Sequence, residues 1–472
     1  MSAASPWRRV AYRLALAALP LVAGVALVIP GEAGAKRGIS TGITVLEAQA
    51  ADASVRDLWL DRTVEANADM VRLDAVWREL VGAQRPADPA DPTDPAYDFS
   101  RLDAAVRGAE QRGLKVLFTV YRAPDWAEGP GRPEGLPSGA WKPDPDEFAR
   151  FGSALAARYS GRFSPGAGAP PLPRVRYFEA WNEPNLTNFF APQRVGDQVV
   201  SPAAYRELLN RFYDAVHAVD GGNVVLSGGT GPYGDPPGGN RIRPVAFLRD
   251  LFCLEGRKQL APRPCPKVQM DILAHHPLGH PNPPTHSTEN PDDAGIPDIG
   301  RLERVLRAAE KAGVVRPGGK RAIWATEFWW ITHPPPSPNA VTSEPAQARY
   351  VAQTFFLLWE QHVKAAFYYL IRDAGTPFNT GLFFADGEEK MAFRAFQFPF
   401  VTDRRSRKRV LAWGRSPTAG KVKIQAMKGG KWRTMKRTRV GKGGVFTARL
   451  RESKKMRARI GPEKSLVWKQ RS

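Results

Sequence analysis

Two glutamates stand out for the company they keep. Glu183 lies within Tyr177-Phe178-Glu179-Ala180-Trp181-Asn182-Glu183-Pro184-Asn185-Leu186, and Glu327 within Ala325-Thr326-Glu327-Phe328-Trp329-Trp330. Each follows an apolar stretch of the kind that makes a buried strand, and Pro184 stops the first from continuing regularly. A strand that ends on an amide beside a carboxylate delivers both to something. Two carboxylates facing each other across a cleft suit the cleavage of a glycosidic bond. One, kept protonated, donates to the leaving oxygen, and the other, ionised, attacks carbon or activates water. Aromatic neighbours raise a carboxyl pKa by desolvation and stack on sugar faces. Taken alone, Glu183 would read as a helix N-cap or a surface acid; the pairing is what favours chemistry.

The elements that must position these groups are legible as eight apolar runs, near Ile39–Leu46, Met70–Trp77, Val116–Tyr121, Val175–Trp181, Val224–Ser227, Ile272–His275, Ile323–Thr326 and Ala366–Ile371. Helical patterns lie between them. In Ser201–Val219, residues Tyr205, Leu208, Leu209, Phe212, Val216 and Val219 share one face, with Ser201 as N-cap, Pro202 in the first turn and Gly221-Gly222 as the stop. Arg101–Arg112, Glu147–Tyr159, Gly300–Ala312 and Ala346–His362 repeat the theme. Strands alternating with helices imply a parallel sheet, and eight units predict an α/β chain folded as a (β/α)8 TIM barrel with insertions. An open doubly wound sheet is the rival, but no Gly-rich phosphate loop follows the first strand. Barrel chemistry gathers at the C-terminal strand ends. Those ends carry Arg72 and Asp74, Arg122 and Trp126, Asn182 and Glu183, His275 and His276, Glu327 to Trp330, then Tyr369 and Arg372.

The chain of 472 residues, 43% hydrophobic, can bury a large core. It opens with Arg8, Arg9 and Arg13, an apolar run from Leu14 to Ile29, and Ala33-Gly34-Ala35. That order is a secretory signal peptide over residues 1–35, cleaved after Ala35 in preference to an uncleaved anchor. The mature protein is then expected to be secreted or held at the cell surface, with no membrane span. Cys253 and Cys265, twelve positions apart, are expected to form a disulfide rather than a metal site, since no Cys/His cluster surrounds them. Closing so short a loop contributes about 3 kcal/mol in the chain-entropy description. No metal or cofactor is expected.

Of the 68 Lys and Arg residues, 24 lie from Val401 on, with only 3 of the 47 Asp and Glu, so the remainder carries 44 of each. A neutral body bears a basic tail whose net charge equals the +21 of the whole chain. Short on helix formers and holding clusters such as Val422-Lys423-Ile424 and Gly444-Val445-Phe446-Thr447, it predicts a small β module. Leu411, Trp413 and Val445 could pack it onto the barrel.

The motifs then acquire a family likeness. WNEPN after the fourth strand and ATEFWW at the seventh resemble the large clan of retaining glycoside hydrolases built on (β/α)8 barrels, which includes family-5 cellulases, family-39 β-xylosidases and α-L-iduronidases. ADMVRLDAVW, VLFTVYRAPDWA and TGLFFADGEEKMAFRAFQ are similar to that clan's second strand, third strand and barrel-closing stretch. The resemblance spans roughly Ile39 to Phe400. It implies Glu183 as acid/base, Glu327 as nucleophile, Asn182 on the sugar's 2-hydroxyl and Arg72 orienting the nucleophile, with a barrel-bottom ion pair as the alternative for Arg72. His275 would lie near the nucleophile; a packed histidine or, with His276, a metal ligand is the other reading. Trp126, Trp329 and Trp330 are sugar-stacking candidates of which at least one belongs to the core. The clan often has Trp at the eighth strand, where this chain offers Phe367, Tyr368 and Tyr369 as the platform.

The expected activity is therefore a secreted retaining glycosidase acting on a poly- or oligosaccharide. The alternative is an inactive glycan-binding or wall-attached barrel. Sugar choice would depend on the loops Glu128–Trp141, Gly234–Arg241 and His280–Pro297. For the basic tail, an anionic glycan or cell-wall polymer fits export better than nucleic acid, for which no motif is present; a merely solvated module is the plainer reading.

Overall fold

The computed structural model describes residues 38–332, 342–375 and 377–470. The expected signal peptide lies outside them. Eight parallel strands close into a barrel: β1 (Ser40–Thr44), β2 (Met70–Val76), β3 (Lys115–Tyr121), β4 (Tyr177–Asn182), β5 (Val224–Gly229), β6 (Ile272–His275), β7 (Ala322–Phe328) and β8 (Ala365–Tyr369). Each pairs with the next in sequence, and β8 returns to β1. A helix follows each strand: α1 (Ala53–Glu65), α2 (Ser100–Gln111), α3 (Pro145–Arg158), α4 (Ser201–Val219), α5 (Pro244–Leu251), α6 (Ile299–Lys311), α7 (Glu344–Glu360) and α8 (Met391–Gln397).

Strand periodicity of two divides the core. Met70, Leu117, Leu226, Ile272, Ala274, Trp324, Ala365 and Phe367 pack as one cluster inside the barrel. Their alternates, among them Val71, Phe118, Phe178, Leu273, Ile323 and Ala366, belong to the cluster that includes the helices. Position 42 is glycine because a Cβ there would stand 2.2 Å from the Phe367 ring. Helix starts obey local chemistry: Asp144 caps α3 by accepting from the amides of Asp146 and Glu147, with Pro145 in the first turn. Ser201 differs from expectation. It is already helical, and its hydroxyl donates to Gln193 Oε1 at 2.6 Å instead of capping α4. Cys253 and Cys265 form a disulfide in the loop after α5.

From Phe400 on the chain is antiparallel β. Strands β9 (Phe400–Ser406), β10 (Arg409–Arg415), β11 (Gly420–Lys428), β12 (Lys431–Val440), β13 (Val445–Arg451), β14 (Lys455–Ile460), β15 (Glu463–Lys464) and β16 (Trp468–Lys469) make two sheets, ordered β9-β10-β13 and β12-β11-β14-β15, with β16 also pairing β14. Trp413 on β10 is fully buried and lies 6.0 Å from Phe356 and 5.9 Å from Trp359, both on α7. No helix among the described residues is long and apolar enough to cross a membrane.

Candidate active site

Above its apolar floor the barrel interior turns polar, and the sequence explains which side chains arrive there. On β2 and β3 the inward series Met70, Arg72, Asp74 and Leu117, Thr119, Tyr121 continue without interruption. On β4 the alternation breaks at Trp181, whose φ is +80°. Its indole turns outward, 5.2 Å from Phe148 and 6.0 Å from Phe190, and donates to the Phe189 carbonyl at 2.8 Å. Asn182 then turns inward, and Glu183 follows with φ +41°. Two non-glycine residues in the left-handed region are uncommon and mark a site held by its surroundings. Here the holding groups are Tyr205, which donates to the Ala180 carbonyl at 2.7 Å, and Asn185, bonded to Gly231 and to the Ile242 carbonyl.

Glu327 arrives by a different device. Ala325 pairs with Ala366 and Phe328 with Tyr368, so β7 spends three steps where β8 spends two. The extra residue is a β-bulge, and it lets Thr326 keep the inward position while Glu327 enters the mouth. β6 supplies the third part. Ile272 and Ala274 face inward, and the next inward residue is His276, just past the strand. Position 229 on β5 is glycine because a Cβ would meet His276 Nε2 at 2.3 Å and Thr326 Oγ1 at 2.7 Å.

The result is a connected set of charges. His276 Nδ1 lies 3.0 Å from Glu183 Oε1, and its Nε2 lies 3.8 Å from Glu327 Oε1. Arg72 Nη1 stands 2.8 Å from that same Glu327 oxygen, and Arg72 Nη2 donates to Asn182 Oδ1 at 3.1 Å. Below, Arg72 Nε donates to Thr119 Oγ1 at 2.7 Å. Fully buried Glu179 accepts from the Thr119 and Thr326 hydroxyls, both at 2.7 Å, and from the Gly229 amide at 3.0 Å. Arg72 is thus an interior residue of the barrel mouth and not a barrel-bottom pair. Burial pushes the Glu327 carboxyl up, opposed by His276 and Arg72 and assisted by Glu183. Burial disfavours charge on His276, but Glu327 and then Glu183 overcome it, and its pKa rises. Asp74 is raised as well, by burial first, and its Oδ1 is buried without a hydrogen-bond partner.

Other expected site residues divide. His275 does not face the carboxylates. It is fully buried on the helix side, between Thr230 Oγ1 at 2.9 Å and the Ala294 carbonyl at 2.9 Å, and burial pushes its pKa down to about 3. With both ring nitrogens engaged it is a packed histidine; the expected place belongs to His276. Trp330 is core, fully buried and donating to the Asn282 carbonyl at 2.9 Å. Trp329 is half-buried with its ring 5.5 Å from that of His280. Trp126, edge-on to Trp77 at 5.6 Å, lines a groove of about 580 Å3 with Glu128, Lys142 and Phe190. Tyr369 is the inward residue of β8; burial and then Glu327 push its phenol up. Gly234, with Tyr233 and Arg243 that flank its loop, meets residues of the loop His280–Pro297 along a second groove of about 730 Å3. Among the described residues no group of three or more His, Cys, Asp or Glu side chains is placed to hold a metal ion. From sequence His276 stands out only as a strand-end neighbour of His275 and a possible metal ligand with it, and Glu179, Thr119 and Thr326 do not stand out as site residues. A glutamate inside an apolar run, as Glu179 is, was the available signal.

No family model and no curated protein matches the sequence. Solved structures do match the fold. A family 39 glycoside hydrolase from the gut symbiont Bacteroides cellulosilyticus WH2 is similar at TM-score 0.52 and 18% identity, over 88% of this chain and 81% of that one. A glucosidase from Croceicoccus marinus is similar at 0.51 and 14%, over 89% and 94%. A monomeric beta-xylosidase from Caulobacter crescentus CB15 is similar at 0.51 and 16%, over 88% and 94%. At these identities the likeness establishes a shared (β/α)8 barrel fold.

Proposed function

We propose that the protein is a retaining O-glycoside hydrolase in which Glu327 is the nucleophile and Glu183 the acid/base. The observation that carries this reading is the single His276 imidazole lying between Glu183, from the end of β4, and Glu327, from the bulge of β7. Two carboxyl groups converge on one inward-facing point at the C-terminal mouth of the barrel, where such folds do their chemistry. Arg72 at 2.8 Å favours the carboxylate form of Glu327 and holds one of its oxygens, which orients the group. In the first step the Glu327 carboxylate bonds the anomeric carbon while Glu183 gives its proton to the departing oxygen. In the second, Glu183 takes a proton from water as that water displaces Glu327. Asn182, oriented by Arg72, is placed to bind the sugar's 2-hydroxyl. Tyr369 and Trp329 are offered as aromatic walls. Export by the amino-terminal segment, and capture of an anionic glycan or wall polymer by the basic module, complete the proposal.

A panel of chromogenic glycosides tests it. Glu327→Gln should lose activity by at least about a thousandfold, because the amide cannot form the covalent bond to the sugar. Glu183→Ala should keep activity on substrates with good leaving groups and lose it on poor ones. Equal losses on both kinds of substrate would contradict the assigned roles. Sugar binding with no turnover by the unaltered protein would favour the inactive glycan-binding barrel.

A further inference from the structure

The sheet β12-β11-β14-β15 carries a row of like charges for which no ion pair is formed among the described residues; the one hydrogen bond recorded from these side chains runs from Arg459 Nε to the Gly461 carbonyl at 2.9 Å. Lys423 on β11 pairs with Arg437 on β12 and, on its other side, with Arg459 on β14; Arg459 in turn pairs with Lys464 on β15. Directly opposed residues in antiparallel strands share a face, so four cations line up across four strands. All four are exposed, while Ile424 and Ala458, their chain neighbours, are buried on the opposite face. Lys421 opposite Arg439 forms a second, shorter row on the same face. Like charges placed opposite one another are destabilising, and among the described residues no acidic partner relieves them. Of the module's three acids, Asp403 pairs with Arg405 and Glu452 with Arg404, both elsewhere. Glu463 lies opposite Ile460. Beside the row Arg457 lies over the Trp432 ring at 4.1 Å and donates to Gln425 Oε1 at 2.9 Å.

We propose that this face binds an acidic polysaccharide carrying a carboxylate or sulfate on successive sugars, laid across the strands along Arg437, Lys423, Arg459 and Lys464. Neighbouring strands stand about 4.8 Å apart, so the row offers one cation per strand over roughly 14 Å. That repeat is close to the length of one pyranose unit in an extended chain. Phosphates along an extended nucleic-acid strand are spaced more widely, and single-strand binders add several open aromatic platforms. The strands of this sheet's row hold one aromatic, Trp432, and Arg457 covers it. An anionic membrane would call for open apolar residues beside the cations; the next pair on this face is Gln425 and Thr434, both polar, and the Trp432 ring beyond them, opposite Met427, lies under Arg457. The inference rests on the reading of the basic module as an anion-binding part, and it assigns that module a place and a ligand class.

The experiment uses the full-length protein and polygalacturonate, with the methyl-esterified polymer as the uncharged control, across a salt series. Replacing the row (Lys423→Gln, Arg437→Gln, Arg459→Gln) should weaken binding roughly tenfold or more and flatten its salt dependence. Removing three exposed cations off the row (Arg407→Gln, Lys442→Gln, Lys454→Gln) should weaken it far less. Equal losses from the two sets overturn the row and leave a diffuse basic module. Absence of any salt-sensitive binding by the unaltered protein overturns both. Tighter binding of single-stranded DNA than of polygalacturonate overturns the ligand class. Lysine acetylation of the unaltered protein supplies a readout free of folding defects: the polymer should protect Lys423 and Lys464 but not Lys442 and Lys454, and uniform protection would count against the site.

Discussion

The charge of His276 is set by its two neighbours, and in return it acts on Glu327. Burial disfavours the imidazolium, yet Glu327 and Glu183 raise its pKa above the ordinary histidine value. A group whose folded pKa is raised stabilises the fold fully below its unfolded pKa, about 6.5 for histidine. That stabilisation fades as pH climbs through the raised value. The same positive charge holds the Glu327 carboxyl down against its burial. His276→Asn removes it, so Glu327 should titrate at higher pH. Because the attacking group must be ionised, the acid limb of kcat/KM should move to higher pH in this variant. The alkaline loss of thermal stability that His276 causes should disappear with it. An acid limb that stays in place would show that some group other than Glu327 governs it.

At the scale of elements, the barrel was legible because most of its strands begin apolar on both faces, so the eight appear as apolar runs. Helices with wide apolar stripes, such as α4, were equally plain. α1 was not: among its thirteen residues only Trp59, Leu60 and Thr63 are buried, and the charged remainder hides the pattern. The site was half legible for the same kind of reason. Counting by twos from Ile272 and Ala274 leads to His276 and past His275. Counting by twos on β7 leads to Thr326 and would have turned Glu327 away, because the bulge that admits it depends on pairing with β8. The φ of +80° at Trp181, which turns Asn182 inward, is likewise a product of packing against Phe148 and Phe190. One glycine of β5 lets these elements approach. In Gly229→Ala the new Cβ would meet His276 and the hydroxyl of Thr326. A displacement of about 1 Å at catalytic groups costs about a hundredfold, so kcat should fall by that order while the barrel stays folded by circular dichroism. Unchanged kcat would mean that the position of His276 does not matter to turnover.

For the whole molecule the question is whether the basic sheets are an appendage or part of the barrel's support. Trp413 fills a site against Phe356 and Trp359 on α7. Arg415, 1% exposed, donates to the Asn67 carbonyl at 2.8 Å and to Asp69 at 2.7 Å. Asp69 also accepts from the Thr41 amide at the foot of β1, so this cation ties β10 to the barrel's first strand. Truncation at Val401 would expose the aromatic face of α7 and remove the partner of Asp69. The barrel is therefore expected to lose solubility and melt lower when made alone, which is why polyanion binding is better dissected by point substitutions than by removing the module. Arg415→Ala isolates the polar tie. It leaves the Asn67 carbonyl with the Thr41 hydroxyl, at 3.3 Å, as its remaining donor, whereas Asp69, 37% exposed, can be solvated. The cost should be near the roughly 1 kcal/mol net worth of a hydrogen bond, since no buried polar group is left unmet. Thermal melts of the full-length variant, set beside the truncated protein, check both expectations. A truncated barrel that melts with the intact protein and hydrolyses glycosides at the full rate would show the two sheets to be dispensable passengers.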